Sequence, residues 1–132
     1  MIATQPTGYP RNEQVWQKRC RFSHALGLLL MYAKQQGMDV AVDQVKRMQS
    51  EADANASSGA GISNSLHLLG LAADLLVYVG GLYLREGSQY AKLGTFWKSL
   101  GDDHRWGGDS RDKNGNPKPD LGHISIEHNG VK

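Results

Sequence analysis

The chain has 132 residues, of which 39% are hydrophobic and 21% charged, a composition that excludes disorder as the main state and fits one globular domain spanning residues 1–132. Its net charge of +2 comes from scattered basic residues, which gives no support for nucleic-acid binding. The single cysteine, Cys20, excludes an intrachain disulfide and a Cys-x-x-Cys metal pair, so any bound metal must rely on histidine and carboxylate ligands.

The first half of the chain predicts one long helix and one strand. Asn12 is a suitable N-cap, and apolar side chains recur at helical spacing over residues 15–37. Over residues 38–45 apolar and acidic side chains alternate, which is typical of a half-buried strand, and Arg47 follows just past its end. Residues 50–64 begin as a weak short helix and end as a loop of small residues.

The second half predicts a hairpin, a helix and a last strand. Residues 71–79 are rich in Leu and Val, the Gly-Gly pair at 80–81 indicates a turn, and residues 82–84 offer a return strand. Ser88 is suited to cap a second helix, and residues 122–127 read as the terminal strand. Because these elements do not alternate as βαβ units, we expect an α+β domain with a small antiparallel sheet packed against helices.

Two segments bear on targeting and membrane insertion. Residues 1–10 lack the basic start and apolar run of a secretory signal, so we expect synthesis in the cytoplasm and a loosely packed N-terminal segment. The longest apolar stretch, residues 66–84, is interrupted by His67 and Asp74. We therefore interpret it as core and expect no stable membrane insertion.

Asp74 is the residue in that stretch that most needs an explanation. An unpaired buried carboxylate costs several kcal/mol and is retained only with a compensating charge. Neither Lys nor Arg occurs between Arg47 and Arg85, so the compensating charge comes from a residue distant in sequence or from a metal ion. His67, seven residues earlier, is the nearest candidate to share such an ion.

A second group of polar residues precedes the last strand. His123 adds a second imidazole to His67 and Asp74, and two histidines with one carboxylate suit a zinc ion that keeps a fourth position for water. Asp120, three residues before His123, is a candidate general base. Arg47 is a candidate for polarising a substrate carbonyl or holding a substrate carboxylate.

Three short motifs give the sequence a family resemblance. Residues 65–74, Ser-Leu-His-Leu-Leu-Gly-Leu-Ala-Ala-Asp, fit the pattern Ser-x-His-x-x-Gly-x-Ala-x-Asp, and residues 120–123, Asp-Leu-Gly-His, fit acid-x-x-His. Residues 106–108 read Trp-Gly-Gly. With these motifs the chain resembles the zinc peptidases that include bacterial D-Ala-D-Ala carboxypeptidases and phage L-alanyl-D-glutamate endolysins, related in fold to hedgehog domains.

The resemblance implies a role for each matching residue. His67, Asp74 and His123 would be the zinc ligands, Asp120 the catalytic base, and Arg47 the residue that polarises the substrate carbonyl. Residues that would support this site or contact substrate at its edge are Ser65, Trp106 and Asp109.

The same resemblance implies a substrate and a setting. An aspartate at position 120, as in the phage endolysins, implies cleavage of peptidoglycan stem peptides at the L-Ala-D-Glu bond during phage lysis. The enzyme would be a monomer, made in the host cytoplasm and acting on the cell wall in the periplasm after release. The alternatives are a D-Ala-D-Ala carboxypeptidase acting on the same polymer and a zinc-binding module without hydrolytic activity.

Most of these residues also have a purely structural interpretation. His67 would then be a core histidine satisfied by a hydrogen bond, and Asp74 an N-cap or ion-pair partner. Asp120 would cap a turn after Pro119. Trp106 would be a core residue.

Two other side chains are assigned by their place in the pattern. Trp16 is expected in the core on the apolar side of the first helix, and His104 at the surface or near the site.

Overall fold

The computed structural model describes residues 13–43, 66–67 and 69–132, which form two helices and five strands. In chain order these are α1 (Val15–Gln35), β1 (Asp39–Asp43), β2 (Ala72–Val79), β3 (Leu82–Leu84), α2 (Ser88–Ser99), β4 (His104–Trp106) and β5 (His123–Ile126), with a 3-10 turn at Gly107–Asp109. The predictions for residues 1–10, Asn12, residues 50–64, Ser65 and Arg47 lie outside the described residues.

The five strands form one antiparallel sheet in the order β1-β2-β5-β4. One edge of β2 pairs along its length with β1, while the other edge pairs first with β5 and then with β3. In this register Asp74 lies opposite Asp43 on one side and opposite His123 on the other. The α+β class and the small antiparallel sheet are confirmed.

Side chains alternate between the two faces of β2. Ala73, Leu75 and Val77 are buried in the core, while Asp74, Leu76 and Tyr78 on the other face are half-buried. The core also contains side chains from both helices, notably Phe22, Leu29, Leu93 and Trp97. We call the half-buried side of β2 the open face, because it is the side on which polar groups reach solvent.

The helix starts differ from prediction by a few residues. α1 begins at Val15 with Gln14 as N-cap, and the Gln14 N–H donates to the Gln17 side chain at 2.8 Å. Gln17 therefore satisfies a backbone donor at the start of this helix. Ser88 is the first residue of α2, and Gly87 occupies the N-cap position.

Burial differs from the sequence interpretation at two residues. Trp16, expected in the core, is 62% exposed on the outer side of α1. His104, expected near the surface, is 1% exposed and belongs to β4, a three-residue strand that the sequence pattern did not indicate. Within the described ranges, no helix combines the length and apolar character needed to cross a bilayer.

Candidate metal centre

His67 lies in a tight turn that leads into β2. Gly70 adopts a φ of +74°, in the left-handed region that favours glycine, and its N–H donates to the His67 carbonyl at 3.2 Å. The Arg19 Nε donates to the Leu69 carbonyl at 2.6 Å and so ties this turn to α1. These contacts fix the buried His67 side chain close to the start of the strand that carries Asp74.

Asp74 lies between the two histidine side chains. Its Oδ1 is 3.2 Å from the His123 Nδ1, and its Oδ2 is 3.5 Å from the His67 Nε2. The two imidazole rings meet edge to face, with centroids 5.3 Å apart. One donor atom from each of the three residues lies within 4.8 Å of the other two, so side chains 49 and 56 positions apart in the chain converge on one point.

The donor set and its spacing fit a zinc ion. Nitrogen and oxygen ligands at about 2.0–2.2 Å from a tetrahedral zinc are separated from one another by about 3.3–3.5 Å. The distances from Oδ1 to one imidazole and from Oδ2 to the other, 3.2 and 3.5 Å, are close to that separation, and all three donor atoms lie within 4.8 Å of one another. The Asp74 side chain is 36% exposed rather than fully buried, so the centre is reachable from solvent on the open face.

The charges around Asp74 also favour a cation. Burial alone would raise the pKa of the Asp74 carboxyl, but its contacts with His123 and His67 outweigh burial and hold that pKa well below its usual range. Asp43, an exposed residue, pairs with Asp74 across the sheet. A carboxylate that stays ionised between two imidazoles is suited to bind a cation.

Asp120 lies in the turn that delivers His123 to the sheet. Its N–H donates to the Gly107 carbonyl at 2.8 Å, and its own carbonyl accepts the His123 N–H at 3.1 Å. A Cβ at Gly107 would lie 2.1 Å from the Asp120 carbonyl oxygen and 2.8 Å from the His123 Cβ. The absence of a side chain at Gly107 therefore allows the close packing that positions both residues.

A cavity of about 360 Å³ connects Asp74 with Asp120. It opens where the second edge of β2 changes its partner from β5 to β3, because the segment entering β5 and the segment leaving β3 diverge there. The residues that line it come from β2, from β3 and the segment after it, from α2 and from the turn before β5: Asp74, Leu75, Leu76, Tyr83, Arg85, Glu86, Tyr90, Pro119, Asp120, Leu121 and Gly122.

Two further residues singled out in the sequence lie around the turn before β5. The Trp106 indole Nε1 donates to the Leu121 carbonyl at 2.8 Å, so this half-buried ring supports the turn that carries Asp120. Asp109 is exposed and forms an ion pair with Lys98 at 2.7 Å. Neither residue belongs to the group of three donors or to the cavity lining.

The sequence analysis missed the wall of the cavity formed by Tyr83, Arg85 and Glu86. The signal was present in the hairpin, because the turn at 80–81 sends the chain back along β2 towards Asp74. Counting residues back from this turn would have placed position 85 beside the metal centre.

Comparison with known proteins identifies a solved structure with a similar fold. No protein-family model and no curated protein sequence matches the chain. Among solved structures, it is similar to the L-Ala D-Glu endopeptidase ChiX of Serratia marcescens, with a TM-score of 0.62 and 19% identity over 80% of this chain and 77% of that chain. At this identity the likeness establishes a shared fold, which agrees with the predicted peptidase-like α+β domain.

Proposed function

We propose that the chain is a zinc-dependent peptidase that hydrolyses peptidoglycan stem peptides between L-Ala and D-Glu. The observation that carries the proposal is the convergence of His67, Asp74 and His123 at a solvent-accessible point beside a cavity. The fold shared with an L-Ala D-Glu endopeptidase supports the choice of polymer and bond.

His67, Asp74 and His123 would hold the ion through two imidazole nitrogens and one carboxylate oxygen. When bound, zinc lowers the pKa of water towards neutrality and polarises a carbonyl oxygen. Three protein ligands, rather than four, suit a centre that must also admit water and substrate. The cavity beside Asp74 offers the space for a peptide.

Asp120 would act as the proton carrier. Asp120 is exposed and lines the same cavity as Asp74, and among the described side chains it has no ion-pair partner. In the reaction, Asp120 takes a proton from the attacking water while the new C–O bond forms. It then gives that proton to the leaving nitrogen as the C–N bond breaks, which yields a carboxylate and an amine.

Arg47 would stabilise the negative charge that develops on the carbonyl oxygen of the substrate. A guanidinium is suited to this task because it is always charged and presents several N–H donors in a fixed plane. Its proposed role comes from its position after the predicted strand at residues 38–45.

The biological setting that we propose is phage-mediated lysis, with the enzyme acting on the cell wall as a monomeric endolysin. An aspartate rather than a glutamate at position 120 supports this assignment through the family resemblance. The weakly basic charge of +2 is compatible with an anionic wall.

The deciding experiment is digestion of purified peptidoglycan, with mass spectrometry of the products and measurement of bound zinc. We expect one zinc per chain and new D-Glu amino termini. Release of free D-Ala would instead indicate a carboxypeptidase, and stoichiometric zinc without any product would indicate a binding module. A protein without affinity for zinc would contradict the whole proposal.

A further inference from the structure

The wall of the cavity opposite Asp120 is built by the hairpin of β2 and β3. Tyr83 pairs with Tyr78, and their rings lie 5.4 Å apart. Side chains two positions apart share one face of a strand, so Tyr78 lies on the open face together with Asp74. Tyr83 is on that face as well, and Arg85, two residues further, is directed to the same cavity.

Arg85 is a cation without an anionic partner in the described part of the chain. Its Cζ lies 5.9 Å from the centroid of the Tyr83 ring, a contact that orients a guanidinium and leaves its N–H donors free. Of the described residues that line the cavity it is the one cation, and the acidic residues among them are Asp74, Asp120 and Glu86. An anion that enters this acidic cavity therefore needs direct contact with Arg85.

The distance of Arg85 from the metal centre suits contact with a substrate that is bound there. β3 ends at Leu84, which pairs with Val77, so Arg85 follows at the point where the chain leaves the ladder, about three residues along β2 from Asp74. Three residues of a strand span about 10 Å, and the long side chain of an arginine can cross part of that distance. A group held by Arg85 thus belongs to a residue within one or two positions of the bond that is cleaved.

We propose that Arg85, oriented by Tyr83, binds the free carboxylate of an acidic residue adjoining the scissile bond. This inference rests on the proposed function and adds a basis for substrate choice. A glutamyl residue has two carboxyl groups and uses one of them to continue the peptide, so the other is free unless it is amidated. Because a guanidinium can pair with a carboxylate through two hydrogen bonds, Arg85 favours a substrate with the free acid over one with the amide.

The test compares two synthetic peptides that differ only in this group, L-Ala-D-Glu peptides with a free carboxylate and with the corresponding amide. Hydrogen bonds to charged groups contribute about 1.5–3 kcal/mol, so the zinc-loaded protein should favour the acid about 10- to 100-fold in kcat/KM, chiefly through KM. Arg85→Gln should lose this preference by slowing cleavage of the acid alone, and Arg85→Lys should keep part of it.

Lys113→Gln is the matched control, because it removes the same charge from an exposed turn outside the cavity lining and should keep the full preference. Equal cleavage of acid and amide by the unmodified protein, or an equal loss for both peptides in Arg85→Gln, would overturn the inference.

A binding measurement separates this inference from the proposed function. If neither peptide is cleaved, the proposed function fails, and calorimetric titration with the same two peptides still tests the subsite. Tighter binding of the acid that disappears in Arg85→Gln would support the subsite. Equal affinity of the two peptides, or no binding of either, would reject it.

Discussion

The position and charge of the Asp74 side chain depend on several neighbouring residues. Two imidazoles approach its carboxylate at 3.2 and 3.5 Å, while Asp43 faces it across the sheet. Contacts with the two imidazoles outweigh burial and keep this half-buried carboxylate ionised. The same arrangement places two nitrogen donors and one oxygen donor around one point, as a bound cation requires.

The first prediction about a single residue concerns Asp120. Asp120→Asn keeps the size of the side chain but removes its ability to accept and return a proton. We expect kcat to fall about 10²- to 10⁴-fold. Zinc content should be unchanged, because Asp120 is outside the group of three donors. Hydrolysis of peptidoglycan and zinc analysis of the same sample check both expectations, and activity near that of the unmodified protein would remove Asp120 from its role.

A second prediction concerns His104 and the pH dependence of folding. Burial lowers the pKa of this imidazole from 6.5 to about 4, and the nearby Arg21 adds to the effect against the opposing charge of Asp103. The ring lies against Trp97 with centroids 4.3 Å apart, and its Nδ1–H donates to the Trp97 carbonyl at 3.0 Å. The folded state therefore keeps His104 neutral at a pH where the unfolded chain binds a proton.

This difference in proton binding determines how the stability of the folded state changes with pH. The contribution of His104 to stability is complete above pH 6.5 and is lost as the pH falls towards about 4. The loss approaches about 3 kcal/mol, since one pKa unit corresponds to about 1.4 kcal/mol. Urea unfolding at several pH values should show a shallower acid slope for His104→Asn, whose amide can replace the Nδ1–H donor. Parallel slopes for the two proteins would refute the assignment.

At the scale of elements, β2 organises the whole site. It carries Asp74, it pairs with β5 to bring His123 opposite Asp74, and it pairs with β3 to return the chain towards Arg85. The change of partner along one edge leaves the gap that becomes the cavity. A single strand thus fixes the relative positions of the metal centre and of the surface proposed to bind the substrate.

The turn before β5 provides the third prediction. Gly107→Ala would place a Cβ 2.1 Å from the Asp120 carbonyl oxygen, and a backbone oxygen cannot move aside as a flexible side chain can. We expect a loss of about 1–3 kcal/mol of stability, weaker zinc binding and a lower kcat, because both Asp120 and His123 must shift. Thermal unfolding and zinc titration measure these effects.

The matched control is Gly27→Ala in α1, where an added Cβ meets no atom within 4 Å. Alanine is favoured over glycine inside a helix by about 0.5–1 kcal/mol, so this variant should be slightly more stable with unchanged zinc affinity. Gly107→Ala indistinguishable from Gly27→Ala would show that the close approach at Gly107 is dispensable.

At the scale of the whole molecule, the parts that the sequence predicted are those governed by local pattern. The Leu- and Val-rich segment, the Gly-Gly turn and the second helix, Ser88–Ser99, depend on nearby residues, and their bounds differ from prediction by only a few positions. His67 and Asp74 were singled out because polar groups that interrupt an apolar stretch require a compensating interaction, and His123 because it adds a second imidazole before the last strand. The structure brings these three side chains together.

The features that were missed depend on contacts between distant segments. β4 has only three residues, too few for an alternating pattern, and exists because it pairs with β5. His104 is buried because the strand packs its ring against Trp97. The burial of Trp16 was predicted wrongly, because helical spacing alone does not show which side of α1 faces the sheet. The cavity likewise arises from the order in which β2 pairs with its neighbours.

The last prediction treats zinc as part of the stability of the molecule. A ligand that binds only the folded state stabilises it by about 4 kcal/mol when its free concentration is a thousand times its Kd. We therefore expect a chelator to lower Tm by about 10 °C, using about 2–5 °C per kcal/mol for a domain of this size.

Readdition of zinc should restore Tm. His123→Ala provides the control, because it removes one of the three donors and should make Tm nearly independent of zinc. A Tm that is unaffected by chelation in the unmodified protein would contradict a zinc centre. A zinc-dependent Tm together with full hydrolysis after chelation would separate the metal from the reaction, since Asp120 would then act without it.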